Sequence, residues 1–171
     1  MFNYSKEDLG EIIKEAVDIL KKNHPFLLEK KNNLNERTVT SQLRAILAGL
    51  FSDYDVDSEY NRMNKNGNYK PKAIEHLEGE MYGVTISIDD VEAKTVFPDI
   101  IVHQRGTDNN YLAIEVKMAW KSGEAYLDER KLVAYTHKEK GLGYLFGLYL
   151  EIGENGIKKT DWFIDGQKID Q

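Results

Sequence analysis

The chain contains no cysteine, which excludes disulfides and thiolate metal centres and leaves carboxylates, carbonyls, histidine and water as ligands for any metal ion. It also lacks an uninterrupted apolar run of membrane-spanning length. Its start, Met1 to Asn23, is charged and amphipathic where a signal peptide would carry an apolar core. A cytoplasmic protein with no membrane partner is the expectation. Basic residues are in deficit, with 23 Lys and Arg against 29 Asp and Glu and a net charge of -6. A protein that coats nucleic acid by general electrostatics needs the opposite balance, because phosphates are neutralised by Lys and Arg. The deficit still permits an enzyme that meets nucleic acid through a local surface, since an acidic metal site adds negative charge that a bound ion offsets. Arg37, Arg44, Arg62, Lys65, Lys70, Lys72, Lys117, Lys121 and Lys131 are the cations available for such a surface. No repeat, low-complexity tract or linker divides the chain, so residues 1–171 read as one domain with no separate recognition domain attached.

Two apolar runs carry charges where apolar residues would serve a core better. Val96-Phe97-Pro98-Asp99-Ile100-Ile101-Val102 contains Asp99, and Tyr111-Leu112-Ala113-Ile114-Glu115-Val116-Lys117 contains Glu115 and Lys117. Charged side chains are seldom buried unless paired or bound to metal. The connection from Arg105 to Asn110 has the Gly and Asx residues of a hairpin, which predicts antiparallel pairing. Centred on Thr107 the hairpin sets Asp99 opposite Glu115; centred on Asp108 it sets Asp99 opposite Lys117. Side chains alternate along a strand, so Glu115 and Lys117 share a face and Val116 points the other way. Opposed Cβ atoms lie about 5 Å apart. Two carboxylates that close repel each other unless a cation lies between them. A hard divalent ion such as Mg2+ or Mn2+ suits oxygen ligands, and a neighbouring Lys can hold water or a phosphate oxygen. His103 has the parity of Asp99 but stands about 13 Å along the strand, and reads as a strand-end residue.

The surrounding elements are legible from periodicity. Ser5 to Lys22 predicts a helix, with a Ser5–Asp8 capping pattern and an apolar stripe of Leu9, Ile12, Ile13, Ala16, Val17 and Leu20. His24-Pro25 interrupts it, and Phe26 to Lys31 adds at most a further turn. A second helix is predicted from Glu36 to about Phe51, with Asn35 as N-cap and Val39, Leu43, Leu47 and Leu50 as its buried stripe. At 100° per residue Glu36 falls within about 20° of the middle of that stripe, so its carboxylate points inward. A favourable helix dipole accounts for a Glu there equally well. Asp55 to Arg62 reads as one short strand, with Glu59 on its polar face, followed by an insertion over Met63 to Lys94. Within that insertion, Asn64 to Asn68 predicts a loop, Ala73 to Leu77 a helical turn and Tyr82 to Ile88 a strand. Gly123 and Glu124 open a helix to about Glu139, on which Asp128, Leu132 and Tyr135 share one face. Tyr144 to Ile152 predicts an apolar strand, and Trp162 to Ile164 a closing edge strand.

Pro98-Asp99 and Glu115-Val116-Lys117 match the signature of the PD-(D/E)XK nuclease superfamily, and the chain resembles small prokaryotic members of it from about Asn35 to Ile152. The resemblance implies an α/β fold with a restriction-endonuclease-like core, a central mixed β-sheet flanked by helices. It implies Mg2+- or Mn2+-dependent hydrolysis of phosphodiester bonds, with DNA expected before RNA and a 5′-phosphate product. Asp99, Glu115 and the Val116 carbonyl would hold the metal, with Glu36 in support and Lys117 orienting or deprotonating water or stabilising charge. Lys131 and Tyr135 are the implied substrate contacts, and Arg62, among the cations near the motif, is a further candidate. Specificity would then come from nucleic-acid structure, from a homodimer with two sites, or from a partner protein. Two alternatives stand beside this reading. One is a catalytically silent member of the fold that binds nucleic acid or a protein, and the other is a structural ion-pair cluster.

Overall fold

The computed structural model describes residues 4–58, 62–65, 68–71, 80–81, 84–85, 98–139 and 141–169. Helix α1 spans Lys6–Asn23 and begins with the capping box expected of Ser5 and Asp8, in which each residue's side chain accepts the other's backbone N–H. Pro25 cannot continue that helix but suits the first position of a new one, and α2 follows over Pro25–Leu28. Helix α3, Glu36–Leu50, starts at Asn35, whose side chain accepts from the Arg37 N–H. The apolar stripes of α1 and α3 are buried together, with Leu9, Ile13, Val39, Leu43 and Leu47 in one core.

Among the described residues ten strands follow: β1 (Asp55–Asp57), β2 (Arg62–Lys65), β3 (Asn68–Pro71), β4 (Glu80–Met81), β5 (Val84–Thr85), β6 (Ile100–His103), β7 (Asn110–Met118), β8 (Phe146–Gly153), β9 (Gly156–Ile164) and β10 (Gln167–Ile169). Helix α4, Ala125–Thr136, lies between β7 and β8. Six strands form one mixed sheet in the order β1-β6-β7-β8-β9-β10. Only β7 and β8 run parallel; the other neighbours are antiparallel. A parallel pair needs a crossover, and α4 provides it. Helices α1 and α3 cover one face, over Ile100, Val102, Leu112, Ile114, Leu148 and Leu150. Helix α4 covers the other, where Leu132, Val133 and Tyr135 meet Ile101, Ala113, Tyr149 and Phe163. The chain is therefore an α/β protein with a mixed sheet flanked by helices. Among the described residues no helix is long and apolar enough to cross a membrane.

Several expected boundaries are corrected. The strand expected from Asp55 to Arg62 closes at Asp57, and Arg62 opens a different strand. Asn64, Lys65 and Asn68 are strand residues, with Lys65 opposite Asn68 in a β2–β3 hairpin. The expected edge strand at Trp162 begins at Gly156 and is not the edge, because β10 pairs outside it. No apolar run marks its first half, where Ile157, Lys158 and Lys159 are exposed. Asp165 and Gly166, both at positive φ, make the two-residue turn into β10 that an Asp-Gly pair favours. Glu59, the Ala73–Leu77 turn, most of the Tyr82–Ile88 strand and the side chain of Arg62 lie outside the described residues.

Gly147 sits where α4 presses on the sheet. A Cβ there would lie 2.9 Å from Thr136 Cγ2, 3.2 Å from Phe163 Cβ and 3.3 Å from Leu132 Cδ2. Gly147→Ala is expected to destabilise by about 1–3 kcal/mol, since an overfilled interface forces neighbours off their rotamers. A lowered urea midpoint at unchanged slope is the readout.

Candidate active site

The site forms where β7 outruns β6. The ladder pairs Ile100 with Ile114 and Val102 with Leu112, so the hairpin is centred on Thr107, the first of the two registers the sequence permits. A bulge at Val102/His103 shifts the last pair to His103 and Asn110. Before Ile100 the chain leaves the ladder, and the edge of β7 retains backbone donors that need acceptors. Two carboxylates supply them. Asp99 Oδ2 accepts from Val116 N at 2.8 Å, and Glu36 Oε2 accepts from Met118 N at 3.0 Å. The inward-pointing Glu36 expected from the helix stripe thus reaches the sheet edge.

On the α4 side of the sheet, Glu115 and Lys117 meet two residues of that helix. Lys131 Nζ lies 3.1 Å from Glu115 Oε2 and 2.7 Å from Asp128 Oδ1. Lys117 Nζ lies 3.0 Å from Asp128 Oδ2 and 3.7 Å from Glu36 Oε1. Asp128 therefore bridges both lysines. It is buried, and its helical position predicts the face it shares with Leu132 and Tyr135 but not its place among these charges. An acid in an apolar helix stripe was the available signal. Lys131 is held on carboxylates, and Tyr135, expected as a substrate contact, is fully buried between α4 and the sheet. Glu115 is 2% exposed, and its Oε1 and the Tyr135 hydroxyl are buried atoms without hydrogen-bond partners.

Burial dominates the electrostatics. It pushes the Asp99 carboxyl up to about 6, against the Val116 N–H bond and the Lys131 charge, while Glu36 and Asp128 add repulsion. Burial, then the Asp99 charge, raises Glu115 well above the carboxylate range despite Lys131. Burial alone would lower Lys117, but the Asp128 bond and the Asp128 and Glu36 charges outweigh it and hold the group as an ammonium above its ordinary value. Burial keeps Tyr135 neutral, with the Glu115 charge next in importance.

Four carboxylates, Glu36, Asp99, Glu115 and Asp128, face two ammoniums, Lys117 and Lys131. Fully ionised, the group carries an excess of two negative charges, which a proton pair or one divalent cation would balance. Among the described residues no group of three or more carboxylate or imidazole side chains is placed to hold a metal. Mg2+, however, is commonly held by one or two carboxylates together with water and substrate phosphate. Asp99, Glu115 with its orphaned Oε1, and the Val116 carbonyl, which shares a strand edge with the Val116 N–H, meet that lesser requirement in donor chemistry.

A cleft of about 340 Å3 adjoins this group, lined by Asn35, Glu36, Arg37, Thr40, Ser41, Ser58 and Asp99. A larger hollow of about 460 Å3 lies over the α1 surface around Glu11, Lys14 and Asp18, away from the cluster. His103 is buried against Asp57 at 2.9 Å. The Arg105 guanidinium, then burial working against it and the His103 contact, leave the Asp57 carboxyl below its usual range. This pairing ties β1 to the β6–β7 hairpin and stands apart from the site, as a strand-end role requires. Comparison with protein families, curated proteins and solved structures finds no match to this chain.

Proposed function

We propose that this protein is a divalent-metal-dependent nuclease with a restriction-endonuclease-like core of the PD-(D/E)XK type, cytoplasmic and acting on DNA before RNA. The observation that carries the reading is the pair of buried carboxylates with raised pKa values, Asp99 and Glu115, facing Lys131, which Asp128 joins to Lys117. Such tuning is concentrated at functional sites. The order of helices and strands around the motif also supports it, by analogy of fold.

In this reading Asp99, Glu115 and the Val116 carbonyl would hold Mg2+ or Mn2+, with Glu36 in support. The ion supplies acidification of water and neutralisation of phosphate charge. Water oxygen bonds to phosphorus as the P–O3′ bond breaks, and the protons pass to solvent and the departing 3′ oxygen. Lys117 stays an ammonium and faces the charge that builds on the phosphate oxygens. Asp128 positions both lysines.

One observation favours a second reading. Each ammonium of the cluster already has carboxylate partners, as a catalytically silent module that binds nucleic acid or a protein would also show. Incubation with linear, circular, branched and single-stranded DNA and RNA in Mg2+ or Mn2+ separates the two. Cleavage that rises with pH as the raised carboxyls ionise, and that chelator abolishes, is expected. Binding without turnover on any substrate, together with no calorimetric metal binding, would favour the silent module.

A further inference from the structure

The cleft beside Asp99 contains a hydroxyl that the fold leaves unused. Thr40 is 5% exposed, its Oγ1 has no hydrogen-bond partner, and it lines the cleft. A threonine inside a helix ordinarily returns its hydroxyl to a carbonyl three or four residues back. Thr136 in α4 does so, reaching Leu132 O at 2.9 Å. Thr40 does not, although α3 offers the same geometry. A buried hydroxyl without a partner is costly to keep unless something outside the chain completes it.

Its neighbours indicate what that is. Arg37, Thr40 and Ser41 are i, i+3 and i+4 neighbours on α3, and Ser58 lines the cleft with them. Three hydroxyls and a guanidinium suit an anion with several acceptor oxygens, because a guanidinium matches phosphate geometry and hydroxyls can all donate. The cleft lies in the first turns of a 15-residue helix, whose N-terminal partial charge also favours an anion. Glu36 and Asp99 border the same cleft, so an anion there adjoins the proposed metal ligands.

We infer that the cleft at the start of α3 is a phosphate subsite, with Thr40 and Arg37 as its main donors. Resting on the nuclease reading, it would take a backbone phosphate of the nucleic-acid strand next to the one cleaved. The shared chemistry, a phosphate oxygen set, also describes inorganic phosphate and a terminal phosphate, and the experiment distinguishes these sources.

Binding of fluorescent oligonucleotides is measured by anisotropy in Ca2+, beside amide NMR of 15N-labelled protein titrated with inorganic phosphate. Thr40→Val keeps the shape, removes only the unpartnered hydroxyl, and should fold as wild type. It is expected to weaken oligonucleotide binding about tenfold, with Thr40→Ser restoring it. Arg37→Gln should lower the slope of log K against log salt by about one phosphate contact. Stronger binding of end-phosphorylated oligonucleotides than of unphosphorylated ones, lost in Thr40→Val, would assign the subsite to a terminal phosphate. Equal binding of the two forms would assign it to the internal backbone. If wild type neither binds nor cleaves nucleic acid, yet phosphate shifts the α3 amides in wild type and not in Thr40→Val, the nuclease reading fails and the anion subsite stands. Unchanged oligonucleotide binding and salt slope in both variants, with no phosphate-dependent shifts around Thr40, overturn the subsite whatever the protein cleaves.

Discussion

Asp99→Asn is expected to make the protein more stable and inactive at once. The substitution keeps an acceptor for the Val116 N–H, now met by Asp99 Oδ2 at 2.8 Å, and removes only the charge. In the folded protein burial pushes the Asp99 carboxyl up from 3.8 to about 6, so the folded chain holds this proton more tightly than the unfolded chain. The stabilising contribution of such a group is complete below its unfolded pKa and is lost as pH rises through the folded value. For Asp99 the loss falls between about pH 4 and 6, and by pH 7 the ionised group costs roughly 2–3 kcal/mol. The neutral amide escapes that cost. Urea titration in chelator should therefore place the variant above wild type at pH 7 and close to it at pH 4, with a flatter pH dependence. Cleavage in Mg2+ should fall by about a hundred- to a thousandfold. A carboxylate kept for architecture would behave oppositely, since its replacement would weaken the fold and leave any activity alone. The opposed changes are the signature of a destabilised functional group.

Lys131→Met should produce the second large effect, a loss of stability that depends on pH. Lys131 lies 3.1 Å from Glu115 and 2.7 Å from Asp128, and its side chain is 37% exposed. Removing one partner of a buried pair leaves the other charge uncompensated. Partial exposure reduces the penalty here, to about 1–3 kcal/mol at pH 8. Glu115 already has its pKa raised by burial and by Asp99, so losing Lys131 drives it toward the neutral acid. As pH falls and Glu115 protonates, the difference from wild type should shrink. Combining Lys131→Met with Glu115→Gln should recover part of the loss, as a double-mutant cycle reads directly. Penalties that are equal at pH 5 and pH 8, and fully additive, would mean that Lys131 acts through packing of its stem rather than through its charge. Divalent cation supplies the same test from outside: if it binds at Asp99 and Glu115, its stabilisation of wild type should grow with pH.

Local chemistry determined much of this protein before any packing was considered. Ser5 and Asp8 mark the start of α1, and Asn35 marks that of α3, because a short polar side chain beside an apolar stripe has few other uses. The turn residues from Arg105 to Asn110 and the alternation of Tyr111 to Lys117 were enough to pair β6 with β7 and to put Glu115 and Lys117 on one face. They left two registers open, however. Tertiary structure shows the Thr107-centred one; the Asp108-centred one would set Ile100 and Val102 opposite Val116 and Ile114, equally apolar and on the same face, so the local pattern had no means of choosing. Other features had no local signal. The charged and exposed start of β9 reads as loop until β8 and β10 flank it. Asp128 joins the site only because the β7–α4–β8 crossover lays its helix over the strand that carries Glu115 and Lys117. Burial, which no single residue type specifies, then separates the raised carboxyls of Asp99 and Glu115 from ordinary surface acids. The sequence by itself determined which charged residues interrupt the apolar strands and which face Glu115 and Lys117 share, since strand and helix periods are properties of the backbone. Tertiary structure alone decided how they pair and how they titrate, since both depend on which distant side chains exclude water from them.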